Sequence, residues 1–170
     1  MPITSINPAT GQPIQSYTDH SPHQVQEKIE QTQEAWKAWR LTPMATRTER
    51  LLQLATVLRN RKQQLATLMA LEMGKPLHQG LAEVEKCAHC CEYYAEHAAT
   101  HLQDQLIPTE ASKSYVSFQP LGIVLAIMPW NFPFWQVIRF IAPALAAGNA
   151  ALLKHASNVP GCAVAIEEMV

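Results

Sequence analysis

The chain has 170 residues, of which 48% are hydrophobic and 16% are charged, and its formal net charge is −1. This length allows one hydrophobic core, and the composition is typical of a globular protein rather than a disordered one. The balanced charge lacks the basic excess with which proteins bind nucleic acid. The N-terminal sequence has no basic region followed by an apolar one, so we expect no secretory signal. With four cysteines interpreted as reduced thiols, these features predict a cytoplasmic protein.

The first part of the chain predicts a small hairpin followed by helices. Turn-forming residues at 7–11 separate two short segments, Ile3–Ile6 and Pro13–Tyr17. Ser21 and Pro22 are a typical helix start. The apolar residues that follow recur at helical spacing and predict one buried face, which consists of Val25, Ile29, Thr32, Trp36 and Trp39.

Two further helical patterns complete this first part. The second begins at Thr42-Pro43, has a candidate break at Asn60, and ends at Gly74 as its C-cap, with Pro76 following. The third runs over about 78–101 and carries an apolar stripe. We therefore expect residues 1–105 to form a hairpin and a helical layer.

The pattern changes after residue 105. Segments 106–108 and 114–118 predict strands, and the segments from residue 121 onward predict a strand–helix–strand–helix order: Gly122–Ile127, Pro133–Ala147, Ala150–Lys154 and Pro160 to the end. The apolar run 122–127 predicts a strand buried on both faces. The fold class is therefore α/β, with an N-terminal helical layer and the first β–α–β of a Rossmann-like parallel sheet over 121–170. The last helix lacks a cap, so we expect a truncated chain.

One apolar segment is long enough to cross a bilayer. Leu121–Leu153 carries a single charge, Arg139. Three prolines and Gly148-Asn149 interrupt this segment, and strand-like stretches flank its helical part. The interior of an α/β protein explains the pattern better than a membrane span does.

A cysteine and histidine cluster on the third helix is a candidate zinc site. It contains Cys87, Cys90 and Cys91, with His89, His97 and His101 nearby. Structural zinc sites usually combine two such groups, and here there is one. Cys87 and Cys91 also fit the buried stripe of the helix, where cysteine packs as a small hydrophobe. We therefore predict no metal site.

A turn between the predicted strand and helix is the best candidate for chemistry. Pro129 and Pro133 restrict its backbone, and Asn131 offers an amide donor at the place where open α/β sheets bind ligands. On a continuous helix Arg139 would face the same way as Asn131, about 12 Å further along the axis. That pair suits a short substrate with a carbonyl at one end and a carboxylate at the other. The alternative is an internal salt bridge of Arg139.

Lys154 is the third candidate, because it ends the second predicted parallel strand. A lysine there is well placed to contact a ribose or a phosphate, whereas the alternative is a solvated loop lysine. Neither of the generic glycine-rich nucleotide motifs is present.

Several motifs resemble those of the aldehyde dehydrogenase superfamily, and within it the bacterial succinate-semialdehyde dehydrogenases. The similar segments occur in order along the chain: 7–11, 72–76, Met128-Pro129-Trp130-Asn131-Phe132-Pro133, 144–149 and Leu153-Lys154. The resemblance implies oxidation of succinate semialdehyde to succinate with NAD or NADP. It also implies a homo-oligomer, dimer or tetramer, to which the strands of 106–120 contribute contacts.

The resemblance implies roles for individual residues. Asn131 corresponds to the oxyanion donor, and Arg139 to an arginine that holds the substrate carboxylate. Phe132 and Trp135 are expected on the substrate side. The residues expected to bind the cofactor are Ile127, Met128, Pro129, Trp130, Lys154 and Ser157.

Ser157 bears on the choice of cofactor. NAD-preferring relatives often have a glutamate three residues after the lysine, which repels a 2′-phosphate. The neutral Ser157 and the positive Lys154 therefore predict that NADP is accepted and preferred, with NAD as the alternative. His155 stands where the family usually has proline.

The resemblance also implies that the nucleophilic cysteine and the general-base glutamate lie beyond residue 170, and that Cys162 is not the nucleophile. We therefore expect these 170 residues alone to be inactive. Two alternatives remain open: oxidation of a different acid or neutral aldehyde, and a short non-catalytic homologue that acts as a binding or assembly partner.

Overall fold

The computed structural model describes residues 2–170 and shows a mixed α/β fold. Its elements in chain order are β1 Ile3–Ile6, β2 Pro13–Tyr17, α1 Pro22–Trp39, α2 Met44–Asn60, α3 Lys62–Met73, α4 Leu77–His101, β3 Gln105–Leu106, β4 Tyr115–Val116, β5 Ile123–Ile127, α5 Trp135–Ala146, β6 Ala150–Lys154 and α6 Pro160–Glu167. The pairs β1–β2 and β3–β4 are antiparallel hairpins, and β5–β6 are parallel. The predicted helical layer followed by a β–α–β unit is confirmed.

Local sequence rules account for the helix ends. The Ser21 hydroxyl accepts the Gln24 N–H, and the Gln24 side chain accepts the Ser21 N–H, so that both groups are satisfied at the start of α1. Gly74 ends α3 with φ of +71°, a conformation that glycine adopts without steric cost. The break predicted near Asn60 lies at Arg61, between α2 and α3.

The core lies between α2, α3, α4, α5 and α6. Its largest fully buried side chains include Leu51, Leu58, Leu65, Met69, Phe134 and Ile138. Cys87 and Cys91 are buried in the same cluster, which confirms the interpretation of the cysteine stripe of α4 as core packing. Among residues 2–170 no group of three or more His, Cys, Asp and Glu could hold a metal ion.

Two predictions about burial were wrong. None of the α1 residues is fully buried, and Val25 and Ile29 are exposed. The helix lies against β5 and β6, and the Trp39 indole N–H donates to the Leu145 carbonyl of α5 over 3.1 Å. The strand β5 is not covered on both faces either: Leu125 is 61% exposed and Ile127 is 70% exposed. Both α1 and α5 contact β6, the single strand partner of β5 in the part of the chain that the structure describes.

The helix after β5 begins later than predicted, at Trp135 rather than Pro133. Pro133 and Phe134 form a turn that leads into the helix, and the Phe132 carbonyl accepts the Gln136 N–H over 3.0 Å. Within residues 2–170, the helices fall short of the combined length and apolar character that a membrane crossing requires.

Candidate active site

Residues 128–134, here called the Asn131 turn, connect the carboxyl end of β5 to the start of α5. The backbone of this turn is irregular, and Trp130, Asn131 and Phe132 in its middle are exposed. Pro133 and Phe134 at its end are buried and join the turn to the core. The turn therefore presents polar and aromatic side chains from a firmly packed base.

A buried ion pair lies beneath this turn. Lys75 follows α3 and Glu83 belongs to α4, and their side chains are 5% and 1% exposed. The Lys75 ammonium donates to Glu83 Oε2 and, over 3.0 Å, to the carbonyl oxygen of Asn131. Glu83 Oε1 accepts the N–H groups of Phe134 and Trp135, each over 3.0 Å. One carboxylate thus caps the N-terminus of α5, which has no side-chain cap of its own.

The neighbouring helix α6 is capped in the same way by a distant glutamate. Glu72 of α3 accepts the N–H of Gly161 over 2.8 Å and that of Cys162 over 2.9 Å, and Ser5 donates its hydroxyl to the same carboxylate. Glu72 is 3% exposed. Buried carboxylates are acceptable at these places because each accepts several hydrogen bonds.

His155 also contacts the Asn131 turn. Its Nδ1 accepts the Ala156 N–H over 2.8 Å, so the ring proton lies on Nε2, which donates to the Pro133 carbonyl over 2.9 Å. Burial lowers the pKa of His155, and the hydrogen bond to Pro133 opposes this shift. The neutral imidazole therefore suits this position.

Several predicted cofactor residues lie together at the carboxyl edge of the parallel pair. Ile127 and Lys154 face each other in register at the strand ends, and the Met128 N–H donates to the Lys154 carbonyl over 3.1 Å. Pro129 and Trp130 continue from Met128. Ser157 is exposed in the loop that follows Lys154, whose side chain is also exposed. This open edge could hold a nucleotide.

The substrate-side residues are arranged differently from the prediction. Because α5 begins at Trp135, Asn131 precedes the helix. The alignment of Asn131 with Arg139 assumed one continuous helix, and that assumption was wrong. Arg139 is exposed on α5, and its side chain makes no hydrogen bond or ion pair with the described residues. The alternative of an internal salt bridge is therefore not found within residues 2–170.

Each of the two aromatic side chains predicted on the substrate side faces a lysine ammonium. The Lys75 ammonium is 3.9 Å from the centre of the Phe132 ring, and the Lys86 ammonium is 4.0 Å from that of Trp135. Such cation–π contacts favour one ring orientation. Phe132 is exposed and Trp135 is half-buried.

The sequence reasoning assigned no functional role to Lys75, Glu72, Glu83 or His155. A signal was present for both glutamates, since each interrupts a helical stripe of apolar residues. Glu72 follows Met69 by three positions, and Glu83 precedes Cys87 by four, so both had to face the interior. The backbone N–H groups that these carboxylates accept, however, lie 51 to 90 residues further along the chain.

Comparison with known proteins relates these features to a family. The sequence profile of the aldehyde dehydrogenase family matches residues 1–170. A probable NADP-dependent succinate-semialdehyde dehydrogenase of Synechocystis is 52% identical over 169 residues, which cover 99% of this chain and 37% of that protein. NADP-dependent succinate-semialdehyde dehydrogenase 1 of Mycobacterium bovis is 44% identical over 175 residues, which cover 100% of this chain and 38% of that protein. The chain thus spans little more than a third of the relatives it matches.

Solved structures agree with the sequence comparison. The succinic semialdehyde dehydrogenase of Streptococcus pyogenes, in complex with NADP⁺, superposes with a TM-score of 0.94 at 32% identity and covers 98% of this chain and 37% of its own. An aldehyde dehydrogenase of Brucella melitensis gives a TM-score of 0.94 at 30% identity and covers 99% of this chain and 35% of its own. The fold, the ordered motifs and the family match together show that this chain belongs to the aldehyde dehydrogenase family.

Proposed function

We propose that the protein oxidises succinate semialdehyde to succinate with NADP as the hydride acceptor. The observation that carries the choice of substrate is the state of Arg139, which is exposed and has no ion pair within residues 2–170. A guanidinium that is free in this way can bind a carboxylate through two parallel hydrogen bonds. Two relatives with NADP-dependent succinate-semialdehyde dehydrogenase activity in their names support the same substrate.

Asn131 is the proposed oxyanion donor. Its side-chain amide is exposed and makes no hydrogen bond with the described residues, so the N–H groups are available to a ligand. A donor held in place before the reaction stabilises negative charge as it develops on the aldehyde oxygen. Phe132 and Trp135 are proposed to contact the carbon chain of the substrate.

The carboxyl edge of β5 and β6 fits NADP. Lys154 contributes a positive charge, Ser157 contributes a neutral hydroxyl, and neither would repel a 2′-phosphate. The ribose and pyrophosphate of the cofactor would contact Ile127, Met128, Pro129 and Trp130. When bound, NADP supplies the group that accepts hydride from the aldehyde carbon. NAD is the less favoured acceptor in this proposal.

The cysteines of these 170 residues do not suit the role of nucleophile. Cys87, Cys91 and Cys162 are fully buried. Burial raises the pKa of Cys91 to about 12, and it also raises the pKa values of Cys87 and Cys162, whereas nucleophilic thiols have lowered pKa values. Cys90 is half-buried in the middle of α4, and burial raises its pKa as well. We therefore propose that nucleophile and base come from sequence outside this segment, and that residues 1–170 alone do not turn over substrate.

The substrate proposal is tested by R139A in the complete protein, assayed with succinate semialdehyde and with a neutral aldehyde of similar length. We expect kcat/KM for the acid aldehyde to fall about 10- to 100-fold, as for a lost charged hydrogen bond, with little change for the neutral aldehyde. The control is R50A, because Arg50 is also an exposed helical arginine, and within residues 2–170 its side chain hydrogen-bonds only to Gln53. Equal losses on both aldehydes would reject the carboxylate role of Arg139.

We further propose that segment 106–120 contacts another subunit of a homo-oligomer. Its exposed apolar residues support this: Leu106, Ile107, Tyr115, Val116 and Phe118. Light scattering of L106K and F118K variants tests the proposal. A lower mass than that of the unmodified protein is expected, and an unchanged mass would contradict it.

A further inference from the structure

We propose that Lys75 and Glu83 are positioning residues that hold the Asn131 amide where an oxyanion donor must lie. This inference rests on the aldehyde oxidation proposed above and adds two residues to it. Neither side chain is exposed enough to meet substrate, since they are 5% and 1% exposed. Their effect would pass through the backbone of the Asn131 turn.

The Lys75 ammonium contacts three groups, two of them in the middle of the turn. It donates to Glu83, it donates to the Asn131 carbonyl over 3.0 Å, and it lies 3.9 Å from the centre of the Phe132 ring. An ammonium has three N–H donors and no acceptor, so these contacts use its capacity. Lys75 is thereby bound to two consecutive residues, of which one bears the proposed donor.

Glu83 holds the other end of the turn. Its Oε1 accepts the N–H groups of Phe134 and Trp135, each over 3.0 Å, while Oε2 accepts from Lys75. A carboxylate at this position also interacts favourably with the dipole of α5. One ion pair therefore connects the middle of the turn to the first residues of the helix.

The Asn131 side chain depends on this support. Within residues 2–170 its amide makes no hydrogen bond, so the backbone of its own residue determines where the amide lies. Lys75 binds the carbonyl oxygen of that same residue. Because donors act on developing charge only when they are already in place, a small displacement of this backbone should lower the rate of the chemical step.

The variant that tests this proposal has to remove the ion pair without unfolding the protein. A buried ion pair often adds little stability compared with a neutral replacement of similar shape. The double variant K75M/E83Q leaves no unpaired charge, and its glutamine oxygen can still cap α5. This variant should therefore preserve the fold while it removes the donor to the Asn131 carbonyl.

A second lysine–glutamate pair, also between α3 and α4, serves as the control. Lys62 of α3 and Glu85 of α4 form an ion pair of 2.8 Å, and Glu85 also accepts from Arg59. Within residues 2–170 neither Lys62 nor Glu85 forms a hydrogen bond or ion pair with the Asn131 turn. The variant K62M/E85Q thus makes the same chemical change elsewhere. It should leave kcat within about twofold of the unmodified protein, as is usual for surface pairs.

The experiment is a double-mutant cycle on the complete protein, with kcat and KM measured for aldehyde oxidation. K75M/E83Q is introduced with Asn131 present and into N131A. With Asn131 present, kcat should fall about 10- to 100-fold while KM changes less. In N131A the same change should cause no further loss, because the group being positioned is gone. Equal losses in both backgrounds, or no loss of kcat, would overturn the proposal.

Two further measurements distinguish failure of this proposal from failure of the proposed function. If the complete protein oxidises no aldehyde, the proposed function fails, and hydrogen exchange of the backbone N–H groups of residues 130–132, which Glu83 does not accept, still tests positioning. Faster exchange in K75M/E83Q than in K62M/E85Q supports the proposal, and equal exchange overturns it. If K75M/E83Q does not fold, K75R is measured in both backgrounds, since it keeps the charge but changes the donor geometry. A kcat loss confined to the Asn131 background supports positioning, and equal losses or none overturn it.

Discussion

The Nε2 of His155 donates to the carbonyl oxygen of Pro133 over 2.9 Å, and this hydrogen bond joins the two loops of the candidate site. His155 directly follows Lys154 and precedes Ser157, whereas Pro133 belongs to the Asn131 turn. The side proposed for the cofactor and the side proposed for the substrate are therefore connected by a buried contact. Movement of one loop has to be accommodated by the other.

This contact predicts a pH dependence of stability. Burial lowers the pKa of His155 below its ordinary value of 6.5, a nearby Glu72 raises it, and Lys154 lowers it. The unfolded chain then binds the proton more readily than the folded one, so stability is fully present above about pH 6.5 and is lost as the pH falls through that value toward the folded pKa. Below the folded pKa the loss is complete.

We expect the melting temperature of the complete protein to fall between about pH 7.5 and pH 5.5 by more than that of H155Q. Glutamine can donate to the Pro133 carbonyl and does not titrate. H20Q is the control, because His20 is exposed and should leave the slope unchanged. A slope in H155Q equal to that of the unmodified protein would show that His155 does not determine it.

Replacement of Asn131 tests the oxyanion role directly. N131A should lower kcat about 10²- to 10³-fold, the usual effect of removing one oxyanion donor, and should change KM little. The control is N60A, since Asn60 is exposed at the end of α2, outside the Asn131 turn. A kcat of N131A close to that of N60A would exclude Asn131 as the donor.

Ser157 is proposed to permit the 2′-phosphate of NADP. S157E introduces a carboxylate near that phosphate, and we expect the ratio of kcat/KM for NADP to that for NAD to fall at least about tenfold because like charges repel at short range. S157Q has the same size without the charge and should change this ratio less. If S157E and S157Q give the same ratio, charge at position 157 does not select the cofactor.

Glu72 should matter for stability rather than for substrate binding. E72A leaves two buried N–H groups of α6 and the Ser5 hydroxyl without their acceptor. We expect the free energy of unfolding to fall by about 2–4 kcal/mol, with a smaller loss in E72Q, which keeps one oxygen. Urea denaturation measures this change. The control E49A removes an exposed glutamate of α2 and should change the free energy of unfolding little. A decrease in E72A no larger than in E49A would contradict the capping role.

Much of the fold could be predicted from local patterns in the sequence. The hairpin boundaries, the Ser21 start of α1, the Gly74 end of α3 and the extent of β6 all follow from residues close to one another in the chain. Turn residues, caps and side-chain periodicity act over a few positions, so their effects are visible without a structure. The position of Lys154 beside the end of β5 also follows from the parallel order of the two strands.

The tertiary structure alone decided how the candidate site is supported and which of its charges are free. Glu83 meets the start of α5 across 51 positions of sequence, Glu72 meets α6 across 89, and Lys75 meets Asn131 across 56. Arg139 is exposed although its segment is almost entirely apolar. The physical reason is that the cost of burying a charge depends on the partners that the fold brings to it, and periodicity along the chain does not identify those partners.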